Sequence, residues 1–406
     1  GNIAGVTGAI ILGGPGAVFW MWVSALFGMV TKFSEVTLAV KYRERNEKGD
    51  WCGGPMYYIK NGLGPKWKWL GGVFAVLGAI AAFGIGNIAQ VHSIADSVKS
   101  VAVAFNENAA SRETMICLIT GICVAIFVAL VLLGGVKRIG QVTEKLVPLM
   151  AVIYIVCALI VVFANVSAVP GVFASIFKGA FNPAAVTGGA AGISIKLAMT
   201  KGVGRGVFSN EAGLGSAPIV ASAAATRNPA RQALVSMTGT FWDTVIICLL
   251  TGLVLVSTMI VHPEIGEDIL ANPSIFTGAA LASAAFAEIP VFGTPVLVLG
   301  MCAFAYSTIL GWSYYGNRCV AYLFGPRGIK PYQVIYVAVA FFGAIGVGDV
   351  VWTISDIGNA LMAIPNIIVI LLLSGMIARE TKHYVYDGHL DEEYAEPVPR
   401  VDKAQL

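Results

Sequence analysis

The sequence predicts an all-α, polytopic membrane protein. Of its 406 residues, 57% are hydrophobic and only 12% charged, with a mean hydropathy of +0.78. Soluble domains carry about 25% charged residues, so there is too little charge here to clothe a core of this size in water. Apolar runs long enough to cross a ~30 Å hydrocarbon layer also recur along the chain. A third observation sits inside that pattern. The stretch 200–218 reads TKGVGRGVFSNEAGLGSAP, in which glycines at 202, 204, 206, 213 and 215 loosen the backbone around Ser209, Asn210 and Glu211. Non-helical backbone at membrane depth is tolerated only where it is buried in protein or lines a cavity. Broken helices of that kind hold substrate in secondary transporters. This stretch is therefore the first candidate for function.

The elements follow in order. Residues 1–12 form a partial helix and 15–40 a full crossing. Further crossings are expected at 70–98, 114–133, 146–165, 241–261, 294–322, 334–346 and 351–377. Residues 188–225 count as one broken crossing, and 171–181 is too short to span. Residues 1–377 thus form a transmembrane domain, followed by a charged tail at 378–406 carrying Pro397 and Pro399, expected to be mobile and solvated. No signal-peptide pattern is visible. Because GNIAG already reads as intramembrane, the natural N-terminus is expected upstream of Gly1.

Loop charges test this map. Lys41, Arg43, Arg45, Lys48, Lys60, Lys66 and Lys68 crowd one loop; Lys137, Arg138 and Lys145, then Arg227 and Arg231, then Arg318, Arg327 and Lys330 crowd others. The opposite loops hold Glu264, Glu267, Asp268 and Glu288, and Asp349. This alternation places the basic loops and the tail in the cytoplasm. Lys201 and Arg205 fit least well; an ordinary loop after residue 199 would break the alternation. Net charge +3 gives no reason to invoke nucleic acid. The 7 cysteines lie mostly in apolar runs without CxxC spacing, as packing residues do.

The motifs GNIAGV, GGPGAVFWMW, GMVTKFSE, LAVKYRE, GGPMYYI, GIGNIAQ, LGGVKRIG, EKLVPLMAVIY, FSNEAGLGSAPI and STILGWSYYG run in order from Gly1 to about Tyr384. Together they resemble the alanine/glycine:cation symporter family, sodium–alanine symporters of the amino acid–polyamine–organocation superfamily. The resemblance implies a leucine-transporter-type fold of two inverted five-helix repeats with discontinuous helices 1 and 6. By that count the N-terminus is truncated, residues 1–12 are the second half of helix 1, 188–225 are helix 6 and 294–322 are helix 8. It also implies a multi-pass protein of a prokaryotic inner membrane.

A zwitterionic amino acid needs donors for its carboxylate and acceptors for its ammonium, because burying either unpaired costs several kcal/mol. Half-helix N-termini offer free N–H groups and C-termini free carbonyls. Gly1 and Asn2 are candidates for the carboxylate, although Asn2 also suits a cap of its own helix. Phe208, Ser209, Asn210 and Gly213 sit at the other break; Phe208 is equally readable as packing. Gln90 on GIGNIAQ either binds substrate or bridges helices. His92 and Asp96, four apart, are expected to pair. Ser307 and Thr308 are candidates for a sodium cage, as the resemblance implies, or for back-bonding to their own helix. Trp312, one turn after Thr308, is a candidate pocket wall that limits substrate size. Lys32 and Glu35 read as an i,i+3 ion pair, Glu211 as a partner of Arg205, and Asp243 as an intramembrane charge of unassigned role.

The function expected is sodium-coupled symport of alanine or glycine by alternating access, without a cofactor. The alternative is proton coupling. An enzyme is disfavoured because no GxSxG, HExxH or Walker motif occurs and the 4 histidines lack metal spacing. A channel is disfavoured because neither an acidic ring nor a TVGYG-like filter occurs.

Overall fold

A computed structural model describes residues 1–46, 49–182, 194–265, 278–289, 292–345 and 350–394. Positions 188–193, Lys48, Glu267, Asp268, Asp349, Pro397 and Pro399, used in the sequence argument, lie outside these residues. Apart from a two-residue antiparallel ladder, β1 (Glu44–Arg45) with β2 (Trp51–Cys52), the described chain is helical. It contains 7 helices long and apolar enough to cross a membrane, or 8 when one pair bent by 61° is counted as a span.

The first helices are α1 (Ala4–Gly13), α2 (Gly16–Lys41) and the short α3 (Pro55–Gly62). Then α4 (Lys68–Phe83) passes through a π-turn at Gly84–Ile88 into α5 (Ala89–Phe105). Next come α6 (Glu113–Leu132), α7 (Gly135–Ala164) and α8 (Val169–Phe181). α9 (Ile195–Asn210) and the short α10 (Ala217–Ala221) follow, separated by residues 211–216. α11 (Pro229–Thr240) runs through a second π-turn, Phe241–Ile247, into α12 (Cys248–Val261). α13 (Gly278–Phe286), α14 (Gly293–Phe324), α15 (Ile329–Ile345), α16 (Val350–Leu372) and α17 (Ser374–Thr381) complete the order.

Two buried apolar clusters organise these helices. One gathers α3–α6 and α14–α16 around Phe74, Trp312 and Tyr336. The other gathers α1, α2, α7, α8, α12 and α13 around Met21, Tyr154 and Phe286. α14 contributes to both. The outer faces of α6 and α7 expose Ile119, Ile122, Ile126, Leu149, Val152, Val156 and Ile160. At one-turn and two-turn spacings, such apolar stripes suit contact with hydrocarbon rather than water.

Lipid tails are as apolar as leucine, so helices associate in the membrane through close packing of small residues. Gly202 and Gly206 do this here. A Cβ on Gly202 would fall 2.3 Å from the Ala17 carbonyl oxygen, and one on Gly206 would fall 2.3 Å from Ser24 Oγ. The early glycines of the 200–218 stretch therefore stay helical, and those at 202 and 206 bring α9 close to α2, a correction to their reading as backbone looseners.

The beginning of the tail is folded rather than free. A π-turn at Lys382–Tyr386 extends α17. Asn228 Nδ2 donates to the Leu390 and Glu392 carbonyls at 2.9 and 2.7 Å. Lys41 reaches Glu380 at 2.6 Å. Beside them, Arg43 stacks on Trp51 and donates to the carbonyls of Ser222, Ala224 and Thr226. Burial and the neighbouring Arg45 and Arg227 lower its guanidinium to about 10, which leaves it charged at neutral pH.

Candidate functional site

The interruption after α9 is built by backbone geometry. Glu211 takes φ 58°, the one positive φ outside glycine among the described residues, and Gly213 and Gly215 follow at 87° and 82°. The left-handed region costs an ordinary residue about 1–2 kcal/mol and glycine little, so EAGLGS can leave the helix where other apolar sequence would continue it. Asn210 Oδ1 accepts from Ala212 N at 2.9 Å and helps the chain turn. The Asn210 carbonyl, freed by the helix end, accepts from Lys32 Nζ at 2.7 Å. Glu211 then joins Ser216 Oγ at 2.6 Å to Trp312 Nε1 at 2.8 Å.

The start of α1 faces this interruption. A Cβ on Gly1 would lie 2.8 Å from Ser209 Oγ. Asn2 Nδ2 donates to Asp243 Oδ1 at 2.6 Å, and the Asn2 carbonyl accepts from Thr251 Oγ1 at 2.8 Å. Thr244 Oγ1 donates to Asp243 Oδ2 at 2.8 Å and accepts from Asn210 Nδ2 at 3.0 Å. A chain of polar side chains, Asn2–Asp243–Thr244–Asn210, therefore ties one helix end to the other through the second π-turn. Asn2 does not cap α1, whose N-cap is Ile3 with no side-chain bond. Asp243 was visible in the sequence as an acid inside FWDTVII, but its partner Asn2 lies 241 positions away and no local spacing reveals it.

Two cavities lie near these helix ends. The smaller, about 50 Å³, is lined by Gly1, Asn2, Gln90, Phe304 and Thr308 among others. The larger, about 620 Å³ and open, is lined by Lys32, Ser209, Asn210, Glu211, Gln232, Asp243 and Tyr315 among others. The sequence-derived residues divide between them. Gly1, Asn2, Gln90 and Thr308 face the small cavity, and Ser209 and Asn210 the large one. Phe208, Gly213, Ser307 and Trp312 line neither.

Each of these four has another place. Phe208 is buried in the same cluster as Trp312, with the Arg205 guanidinium 5.4 Å from its ring. The Gly213 carbonyl accepts from Asn366 at 2.9 Å. Ser307 and Thr308 both donate to the Phe304 carbonyl at 2.9 Å. A hydroxyl that donates backward keeps its lone pairs for a cation, but only Thr308 presents them to the small cavity. Trp312 covers the π-turn: a Cβ on Gly86 would be 2.1 Å from Trp312 Cβ. Gln90 Nε2 donates to the Ile85 carbonyl at 2.9 Å within that turn.

Two charge pairings read from the sequence are corrected. Lys32 and Glu35 make no ion pair; Lys32 bonds the Asn210 carbonyl while Glu35 bonds Gly215 N and Asn366 Nδ2, at 3.0 and 2.5 Å. Both side chains turn toward the interruption, whose free backbone groups are better partners than each other. Arg205 pairs with Asp356 at 3.5 Å rather than with Glu211. His92 and Asp96 do pair, at 3.3 Å.

Comparison with known proteins bears on this arrangement. The model of the sodium:alanine symporter family matches residues 1–396. The chain belongs to that family. The sodium/alanine symporter AgcS of Methanococcus maripaludis is 49% identical over 387 residues, covering 95% of this chain and 80% of the relative. The amino-acid carrier protein AlsT of Bacillus subtilis is 37% identical, covering 95% and 77%. GlnT of the same bacterium, named a probable sodium/glutamine symporter, is 36% identical, covering 95% and 75%. Like its family, the protein is a multi-pass membrane transporter, not an enzyme.

Proposed function

We propose that the protein is a sodium-coupled symporter of alanine or glycine. The observation that carries this reading is the small cavity enclosed by the start of α1, α5 and α14. One water-sized group needs about 10–15 Å³ of such space, so about 50 Å³ holds roughly three to five of them. Glycine, with five heavy atoms, fits this count and alanine, with six, exceeds it by one; leucine, with nine, would force the walls far apart. The name of AgcS agrees with this substrate class.

On this reading α1 is the second half of a discontinuous helix 1, and α9–α10 form a discontinuous helix 6 in a leucine-transporter-type inverted repeat. Backbone N–H groups at Gly1–Ile3 receive the substrate carboxylate, and the carbonyl ends near Ser209 receive the ammonium. Sodium is a hard cation that favours oxygen. Thr308 Oγ1 with carbonyls of helix 1 supplies one such set, and Asp243 with the Asn2 and Thr244 oxygens supplies another. The basic loops and the tail lie in the cytoplasm of a prokaryotic cell, and the large open cavity is the route by which substrate leaves inward. Each sodium entering gains about 2.3 kcal/mol per 100 mV in addition to its concentration gradient.

Proteoliposomes test the proposal. Labelled alanine should accumulate under an inward sodium gradient and not when choline replaces sodium at fixed pH. Uptake that survives in choline and collapses with a protonophore would establish proton coupling instead.

A further inference from the structure

The interruption between α9 and α10 is short of internal partners. Among the described residues, the one hydrogen bond within its own backbone is Leu214 N to the Glu211 carbonyl, at 3.3 Å. Gly213 and Gly215 are both buried, and an unsatisfied buried backbone group is costly. The missing partners arrive from two other helices, and a third backs them. Glu35 Oε1 on α2 accepts from Gly215 N at 3.0 Å and from Asn366 Nδ2 at 2.5 Å. The same amide nitrogen of Asn366, on α16, gives its other hydrogen to the Gly213 carbonyl at 2.9 Å. Tyr58 on α3 donates to Asn366 Oδ1. All three side chains are fully buried.

We propose that Glu35 and Asn366, backed by Tyr58, are positioning residues for transport: they clasp Gly213 and Gly215 and thereby fix where the end of α9 presents Ser209 and Asn210. The geometry is specific to that task. A carboxylate oxygen accepts two N–H groups at once, and a primary amide donates twice while accepting once, so one acid and one amide satisfy a carbonyl and an N–H two residues apart. No aliphatic pair of the same volume does this. Glu35 Oε2 makes no hydrogen bond, so the clasp needs one acceptor oxygen and not the charge. Because α16 and α3 hold the other end, movement of α16 during a transport cycle reaches the interruption through Asn366. This inference rests on the transport reading for its consequence, but not for its geometry.

The test uses the full chain, purified and reconstituted, with two readouts. Glu35→Ala should lower the maximal rate of sodium-driven alanine uptake by about tenfold or more, as expected when buried partners are orphaned. It should also raise deuterium uptake across 209–217 while leaving α12 unchanged. Glu35→Gln keeps a carbonyl acceptor and should retain uptake within about threefold, with wild-type exchange. Asn366→Ala should reproduce Glu35→Ala, and Tyr58→Phe should show a weaker form of it. If Glu35→Ala does not yield folded protein, the latter two variants decide. Wild-type exchange across 209–217 in Asn366→Ala, or a Glu35→Gln variant as impaired as Glu35→Ala, would overturn the clasp. A wild-type protein that fails to accumulate alanine would overturn the transport reading instead, and the exchange measurements would still judge the clasp.

Discussion

Two glycine-rich interruptions lie among the described residues, and only one of them opens. GIGNI at 84–88 stays helical, merely widened into a π-turn, and none of its residues has positive φ. EAGLGS at 211–216 leaves the helix, with three residues at positive φ. Glycine content is similar, so it does not decide the outcome. The difference is how far outside partners replace bonds within the helix. At the π-turn the backbone still bonds within the helix, with one outside donor, Tyr336 Oη to the Gly86 carbonyl at 3.2 Å; Gly86 admits Trp312, and Asn87 Nδ2 donates to the Tyr336 carbonyl at 2.7 Å. At the opened segment the partners come from α2 and α16. Glycine permits a break, and partners elsewhere in the fold make one.

The comparison can be broken at several points. Gly86→Ala has the largest expected effect. Its Cβ would overlap the fully buried Trp312, and overpacking of this kind costs about 1–3 kcal/mol or more. The thermal midpoint in detergent should fall by several degrees and uptake should be lost. Gly215→Ala should follow closely. It adds a Cβ at φ 82°, 2.7 Å from the Phe74 and Pro55 rings, for about 1–2 kcal/mol of backbone strain plus the clash. Were Gly215→Ala harmless while Gly86→Ala unfolds the protein, positive φ would not be the requirement at 215.

Asn87→Ala removes one buried bond and should cost about 1–3 kcal/mol of stability, measured by thermal unfolding, with the substrate range unchanged. Trp312→Phe keeps bulk over Gly86 but withdraws the Nε1–H from Glu211; it should slow alanine uptake without admitting leucine, since Trp312 lines neither cavity. Competition assays decide that point, and leucine uptake would restore the tryptophan as a size filter. The smallest contrast concerns the hydroxyl pair. Thr308→Ala should raise the sodium concentration for half-maximal uptake by about three- to tenfold, whereas Ser307→Ala, facing Met150 at 3.9 Å, should change it little.

Composition and apolar run length made the membrane class legible, and the order of glycines and polar residues marked 200–218 before any coordinates. What stayed illegible was partnership. Lys32 and Glu35 look like a local pair at one-turn spacing, yet each bonds a group about 180 positions away. Local spacing reveals only neighbours, while backbone between two helices draws its partners from whichever buried polar group the packing delivers. Asn366 illustrates the limit: within AIPNIIVI it reads as a stray amide beside Pro365, and only the tertiary fold supplies Gly213 and Glu35. Trp312 lies off both cavities for a related reason. One-turn spacing placed it on the Thr308 side of α14, but the space it fills was created by Gly86 on another helix.

The grip of Asn228 on the Leu390 and Glu392 carbonyls has a practical side. The same side chain accepts from Arg231 N at 2.9 Å and so begins α11, the helix that lines the large cavity through Gln232 and Ser236. A fluorescent reporter or affinity tag joined before position 390 would remove what seats that helix end, whereas one joined beyond Glu392 leaves it intact. The choice of fusion point thus becomes a variable in any flux assay on this protein.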